Sequence, residues 1–187
     1  HARGLPGGEH AFWVGLALGI FNIVQAFFYI PLGRLSDRIG RKPVVLWGLS
    51  LFVAGALICA AKDDLLWIAI GRGVMGAGAV SAAISAWVAD LTREQVRTRA
   101  MALVGGSIAL SFALSLVIAA PIYRMISLNG IFIVLAVLGV LAMLVTYFVL
   151  PNNSAPANLT QASLKEVFFR PELMRLNIGV FVLHATQ

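Results

Sequence analysis

The sequence predicts an all-α protein whose helices cross a membrane several times, and two observations support this prediction. Hydrophobic residues make up 60% of the 187 residues and charged residues only 12%, about half of the roughly 25% found in soluble domains. The hydrophobic residues also form runs long enough to cross a bilayer, for which ~20 residues suffice. Five complete spans are therefore expected, at approximately 11–32, 44–61, 65–89, 100–123 and 129–150.

The charged residues cluster in the short segments between these runs. Segment 33–42 joins the first two spans and holds five charges. An apolar–basic–apolar order of this kind is typical of two spans joined by a tight cytoplasmic loop. The expected cytoplasmic segments 34–43, 90–99 and 151–175 hold ten Lys and Arg residues, whereas the opposite side holds three. This bias places segment 33–42 in the cytoplasm.

Segment 33–42 also follows a pattern, Gly-x-Leu-x-Asp-Arg-x-Gly-Arg-Lys. The pattern resembles the signature loop between the second and third spans of the major facilitator superfamily, and every position agrees. It is formed by Gly33, Leu35, Asp37, Arg38, Gly40, Arg41 and Lys42. The resemblance implies a secondary transporter in which this loop is a conformational latch between two halves of the protein, with the Asp facing a helix end in the other half. A loop that only fixes topology through its positive charge is the alternative.

Two polar amides lie inside the first span. Asn22 and Gln25 are three residues apart and therefore share one helical face. Because polar amides in lipid need partners or water, this face is expected to point inward. Two interpretations stay open: the amides line a substrate cavity, or they form a hydrogen bond that joins helices.

The third span contains Arg72, the only formally charged residue well inside a complete span. A cation there costs ~2.5–3.5 kcal/mol on insertion scales, so it marks a functional site by default. The pattern Arg-x-x-x-Gly-x-Gly-Ala, formed by Arg72, Gly76, Gly78 and Ala79, resembles a second superfamily motif implicated in proton movement. The family often has Gln where this chain has Met75. Alternatively, Arg72 snorkels or makes a fixed interhelical hydrogen bond.

Small residues predict close helix packing at two places. Gly76 and Gly78 do so in the third span, and Ser111 and Ser115, four residues apart, do so in the fourth. Drug/proton antiporters carry Gly-x-x-x-Gly-Pro-x-x-Gly-Gly in their fifth span. In this chain small residues persist at several of those positions, but the Gly-Pro pair is absent.

Matching the signature loop to its place in the family identifies the chain as part of a major facilitator fold. Residues 1–150 become a bundle of the N-terminal half, containing spans two to six. Residues 151–172 become a central cytoplasmic linker with a short amphipathic helix, and 173–187 the start of the seventh span. The first span and most of the second half are expected outside this sequence. Segments 90–95 and 151–154 resemble those of YajR-like bacterial members.

The resemblance implies a small-molecule transporter that works by rocking two halves around a midplane site, with efflux by proton antiport as the main hypothesis. Arg72 is then assigned to proton coupling, but an arginine stays protonated at biological pH and cannot carry the proton. The complete spans contain no acid, so the carrier is expected elsewhere. A facilitative or symport permease for sugars or metabolites, and a non-transporting sensor or scaffold, remain alternatives.

Other functional classes are not expected. The sequence offers no nucleophile–base pair, metal-ligand cluster or phosphate loop, so it predicts no enzyme activity, metal or cofactor. The net charge of +6 comes from loops beside apolar spans, without the interleaved aromatics that bind nucleic acid. The expected partners are the lipid bilayer, a small-molecule substrate and protons. The expected form is a monomeric, multi-pass protein of the bacterial inner membrane.

Overall fold

The computed structural model describes residues 7–62, 64–78, 80–151 and 174. Residues 1–155 form one compact unit, and residues 156–187 form a second unit that is described only at Met174. The predicted linker 151–172 therefore lies outside the described residues except for Pro151, as does the predicted seventh span except for Met174. The described part of the first unit contains five helices and no strand: α1 (Gly7–Ile39), α2 (Arg41–Ala61), α3 (Leu65–Ala77), α4 (Ser81–Leu91) and α5 (Glu94–Phe148). The predicted all-α class is confirmed.

The signature loop is almost entirely helical. α1 continues to Ile39 and α2 begins at Arg41, so Gly40 alone separates them. Gly40 has a φ of 98°, which a glycine adopts without the steric penalty of a side chain. The sequence predicted a longer loop because its charges resemble a solvated segment. The charges instead lie on the last turns of α1 and the first turn of α2.

The third predicted span is interrupted near its middle. α3 ends at Ala77 and α4 begins at Ser81. The backbone N–H of Gly78 donates to the carbonyl oxygens of Val74 and Met75, at 3.2 and 3.1 Å, which tightens the last turn of α3. The low helix propensity of glycine accounts for an end at this Gly-rich point. The sequence predicted close packing and a superfamily motif at Gly76 and Gly78, but no break in the helix.

α5 contains 55 residues and bends once, at Ser127, whose φ of 61° and ψ of 177° are not helical. An unbroken helix of this length would measure about 80 Å, whereas the hydrocarbon core of a bilayer is ~30 Å thick. The bend falls between the fourth and fifth predicted spans. In the described residues, three segments are long and apolar enough to cross a membrane: Arg41–Ala61, Leu65–Leu91 and Glu94–Phe148.

α2 and α3 cross at two glycine pairs. A Cβ atom on Gly55 would lie 2.5 Å from the carbonyl oxygen of Gly71, and one on Gly71 would lie 2.6 Å from the carbonyl oxygen of Gly55. Gly48 and Gly78 meet backbone to backbone in the same way. Members of each helix are seven residues apart, so both pairs lie on one helical seam. Only residues without a Cβ permit backbones this close.

The core is divided into two buried clusters, one at each end of this crossing. One cluster joins α1, α2 and α4 near the signature loop, and it consists of Leu32, Val44, Val45, Val80, Ala83 and Trp87. The other joins α2, α3 and α5, and it consists of Ala56, Cys59, Met75, Phe132 and Ala136. The first cluster supports the helix ends that form the candidate site.

Candidate functional site

A buried guanidinium is the centre of the signature loop. The side chain of Arg41 is 9% exposed, and its Nη1 lies 2.5 Å from Oδ1 of Asp37, one turn earlier in the chain. Its Nε donates to Oδ2 of Asp90 at 2.9 Å. Because Asp90 is the penultimate residue of α4, one arginine joins the ends of α1, α2 and α4. Charge-assisted bonds from a planar guanidinium fix geometry more tightly than a single ammonium would.

Ser36 completes the polar environment of Arg41. Its Oγ accepts a hydrogen bond from Arg41 Nη1 at 2.6 Å and donates to the carbonyl oxygen of Gly33 at 2.9 Å. Ser36 is 1% exposed, so both bonds are shielded from water. The sequence analysis missed Ser36 and Asp90. Ser36 follows the buried Leu32 by four residues and therefore shares its face of α1, a spacing that is visible in the sequence.

Lys42 connects the signature loop to the end of α5 by hydrogen bonds. Its Nζ donates to the carbonyl oxygens of Tyr147 and Leu150 at 2.9 and 2.8 Å, and it lies 5.6 Å from the centre of the Tyr147 ring. The last carbonyl groups of a helix lack intrahelical partners and carry partial negative charge, which a lysine offsets. Two adjacent basic residues therefore connect the loop to α4 and to α5.

The remaining signature residues face outward. Arg38 is exposed, and the carboxylate of Asp37 keeps about a third of its surface open. A Cβ placed on Gly33 would meet nothing within 4 Å, so nothing in the described residues requires glycine there. The structure brings Asp37, Gly40, Arg41 and Lys42 together with α4 and α5. Gly33 and Arg38 lie away from these contacts, on different sides of α1.

Arg72 lies between α3 and α1. Its guanidinium carbon is 5.4 Å from the centre of the Phe21 ring, within range of a cation–π interaction. Its Nε is buried and makes no hydrogen bond with the described residues. The ion pairs in the described part of the chain all involve Arg41, so no described acid neutralises Arg72. Sequence reasoning missed Phe21, because a ring on another helix leaves no local signal.

The two predicted packing glycines of α3 are both buried. A Cβ on Gly76 would lie 2.5 Å from the carbonyl oxygen of Phe21, so α1 and α3 touch there through their backbones. Gly78 meets the backbone of α2 at Gly48. Ser111 and Ser115, by contrast, are exposed on α5, and Ser115 Oγ donates to the carbonyl oxygen of Phe112 in its own helix. The described residues bring no other helix against this pair.

An apolar cavity of about 410 Å³ lies among the helices and is lined in part by Phe21, the ring that Arg72 contacts. Gln25 lines it, whereas Asn22 lies on an exposed part of α1 and is not among the lining residues. Ser81 adds a second polar group, and its Oγ is 2.5 Å from the hydroxyl of Tyr29. The other lining residues are Phe21, Leu49, Phe52, Met75, Gly78, Val80, Ile84, Leu135, Leu138, Gly139 and Ala142. Such a surface suits apolar molecules with few polar groups.

The family model described as Major Facilitator Superfamily matches residues 7–186. The chain belongs to the major facilitator superfamily. This membership confirms the predicted partial major facilitator fold, and together with the membrane-length helices it confirms a multi-pass membrane protein.

Named relatives agree with this membership. The chain is 39% identical to "Inner membrane transport protein YajR" of Escherichia coli, over 98% of this chain and 41% of the relative. It is 25% identical to "Multidrug resistance protein MdtL" of Klebsiella pneumoniae, over 97% of this chain and 48% of the relative. It is 36% identical to "Tetracycline resistance protein, class H" of Pasteurella multocida, over 49% and 23%. The chain thus spans less than half the length of these relatives. The resemblance to YajR-like members is confirmed.

Proposed function

We propose that this superfamily member is part of a proton-coupled transporter that exports small molecules across a bacterial inner membrane by alternating access. The observation that supports it best is Arg72, a partly buried cation in a membrane-length segment, with an unpaired Nε and no acidic partner in the described residues. A cation so placed is costly and is retained where it serves transport. The relatives are an inner membrane transport protein and two resistance proteins, and resistance is a role that export of small molecules serves.

In this proposal the signature loop transmits the conformational change. Arg41 and Lys42 hold the ends of α1, α2, α4 and α5 in one arrangement. These helices would therefore rock as one body against the other half of the protein. The partly open Asp37 and the unobstructed Gly33 lie on the face that would contact the other half. We therefore assign the latch contact to the face that carries Gly33 and Asp37. Arg41 and Lys42 support this face from the side packed against α4 and α5.

Arg72 would couple the proton indirectly. Its guanidinium stays charged, so it would bind a carboxylate in the membrane in one conformation and release it for protonation in the other. The unpaired Nε supplies a free donor for that carboxylate, and the Phe21 ring limits where the guanidinium can move. The acid itself is proposed to lie outside the described residues. Gln25 is proposed to line the substrate path, with Asn22 one turn away on α1.

Transport in proteoliposomes tests the proposal. The full-length protein is reconstituted as a monomer, and uptake of tetracycline and of ethidium is followed with an imposed pH gradient. We expect flux that collapses when an ionophore removes the gradient. Flux that persists without the gradient would favour a facilitative permease, and the absence of flux for any substrate class would favour a sensor or scaffold.

A further inference from the structure

A group of exposed arginines lies where α1 ends and α5 begins. Arg34 and Arg38 are one turn apart on α1, and Arg93 and Arg97 are four residues apart where α5 starts. All four are exposed, and none makes an ion pair or a side-chain hydrogen bond with the described residues. We call these four residues the arginine rim.

The ion pair between Arg41 and Asp90 brings the two halves of the arginine rim to neighbouring helix ends. Arg38 precedes Arg41 by three residues, and Arg93 follows Asp90 by three. Because Arg41 and Asp90 are bonded at 2.9 Å, the two arginine pairs belong to neighbouring helix ends. Arg41 also forms ion pairs with the carboxylates of Asp37 and Asp90. Glu94 is then the one described acid left within segments 33–42 and 90–99, so the rim retains an excess of positive charge.

Exposed apolar side chains alternate with these arginines. They are Leu35, Ile39, Leu91 and Val96, between 37% and 55% exposed. Leu35 and Ile39 follow Arg34 and Arg38 directly, so each turn of α1 presents a cation beside an apolar group. A soluble anion would use only the cations. A phospholipid has both an anionic phosphate and acyl chains, and it meets both kinds of group.

The position of the rim near helix ends also suits binding of a lipid headgroup. Its residues lie within five residues of the ends of α1, α4 and α5, and the end of α4 and the start of α5 are also ends of membrane-length segments. Anionic lipids attract basic residues that lie beside the ends of spans. We infer that the arginine rim binds anionic phospholipid, with the headgroup phosphate between the two arginine pairs and the acyl chains along Leu35 and Ile39.

Native mass spectrometry of the full-length protein tests this inference. Phosphatidylglycerol or phosphatidylcholine is titrated onto the protein in detergent, and the apparent Kd of each lipid is measured. Two variants each remove half of the rim, Arg34→Gln/Arg38→Gln and Arg93→Gln/Arg97→Gln. Lys62→Gln/Arg124→Gln is the matched control, because it removes two exposed cations that lie outside the rim, at the end of α2 and just before the bend of α5.

We expect phosphatidylglycerol to bind more tightly than phosphatidylcholine. Each rim variant should weaken it about fivefold per arginine removed, and the control should leave it unchanged. Equal loss in the control would show that total charge, and no defined site, attracts the lipid. Displacement by millimolar inorganic phosphate would show that the acyl chains contribute nothing. Either result overturns the inference.

A photoactivatable phosphatidylglycerol gives a test on the unmodified protein, which does not depend on whether the variants insert correctly. We expect crosslinks on peptides that contain residues 34–39 and 91–97. Crosslinks spread evenly around the protein would contradict the inference.

Discussion

The carboxylate of Asp90 lies 2.9 Å from the guanidinium of Arg41, although 49 residues separate them in the chain. This pair joins α4 to the signature loop, and the Arg41 side chain is nearly excluded from solvent. Without Asp90, the Arg41 guanidinium would keep its bonds to Asp37 and Ser36 but would lose its charged partner on α4. The pair is therefore a direct test of how the loop is held.

We predict that Asp90→Asn lowers the free energy of unfolding by about 1 kcal/mol, since a neutral amide oxygen replaces the carboxylate that accepts from the Arg41 guanidinium. The measurement is thermal or denaturant unfolding of the full-length protein, followed by tryptophan fluorescence. Glu94→Gln is the control, because Glu94 is exposed and makes no ion pair with the described residues. Equal destabilisation by both substitutions would contradict a specific role for Asp90.

Lys42→Met should loosen the end of α5 alone. Losing the bonds to the carbonyl oxygens of Tyr147 and Leu150 should cost about 1 kcal/mol and make amide exchange at the end of α5 about fivefold faster. Hydrogen–deuterium exchange with mass spectrometry measures this. Arg38→Met removes an exposed cation from the same segment and should leave that exchange unchanged. If both variants act alike, the two hydrogen bonds are not the cause.

The two glycines of the signature loop should respond differently to alanine. Gly40→Ala places a side chain at a φ of 98° and should destabilise the protein by about 1–2 kcal/mol. Gly33→Ala adds a methyl group in open space on a helix and should not reduce stability. If the face around Gly33 contacts the other half, Gly33→Ala should still reduce transport. Full transport by this stable variant would contradict the latch on that face.

Close packing of α2 on α3 is tested by two glycines of α3. A methyl group on Gly71 would overlap the backbone of Gly55 and the thiol of Cys59, so Gly71→Ala should destabilise the protein by about 1–3 kcal/mol. Gly73→Ala meets nothing within 4 Å and should be neutral or stabilising by up to about 1 kcal/mol. Unfolding midpoints measure the difference. If Gly73→Ala lowered the unfolding midpoint more than Gly71→Ala, the result would contradict close packing of α2 on α3 at Gly71.

Arg72→Ala should abolish proton-linked transport without preventing membrane insertion, because it removes the donor proposed to bind the proton-carrying acid. Arg72→Lys should restore part of the transport, since it keeps the charge but not the planar donors. Transport is measured in proteoliposomes, and insertion by the yield of membrane-extracted protein. Normal transport by an inserted Arg72→Ala protein would eliminate the coupling role.

The sequence predicted the helical class, the family and the central loop, because these depend on composition and local order. Gly76 and Gly78, which meet the backbones of other helices, were predicted to pack because small residues inside a span let helices approach closely. Ser36, Asp90 and Phe21 were missed because their roles depend on partners on other helices or within a buried network. The break after Ala77 and the single non-helical residue at Gly40 were missed because charge and hydropathy do not report backbone angles. The packing role of Ser111 and Ser115 stays a prediction.

The paired glycines of α2 and α3 restrict how this half can move. Sliding one helix along the other by a single residue would drive Cβ atoms into both crossings at once, so translation along the seam is blocked. Rotation of one helix about the other is blocked too. Two backbone contacts seven residues apart fix the angle between the helices as well as the place where they touch. Distance labels placed across the seam should therefore read the same value throughout the transport cycle. In any motion of this part of the protein, α2 and α3 must therefore move together as one rigid body.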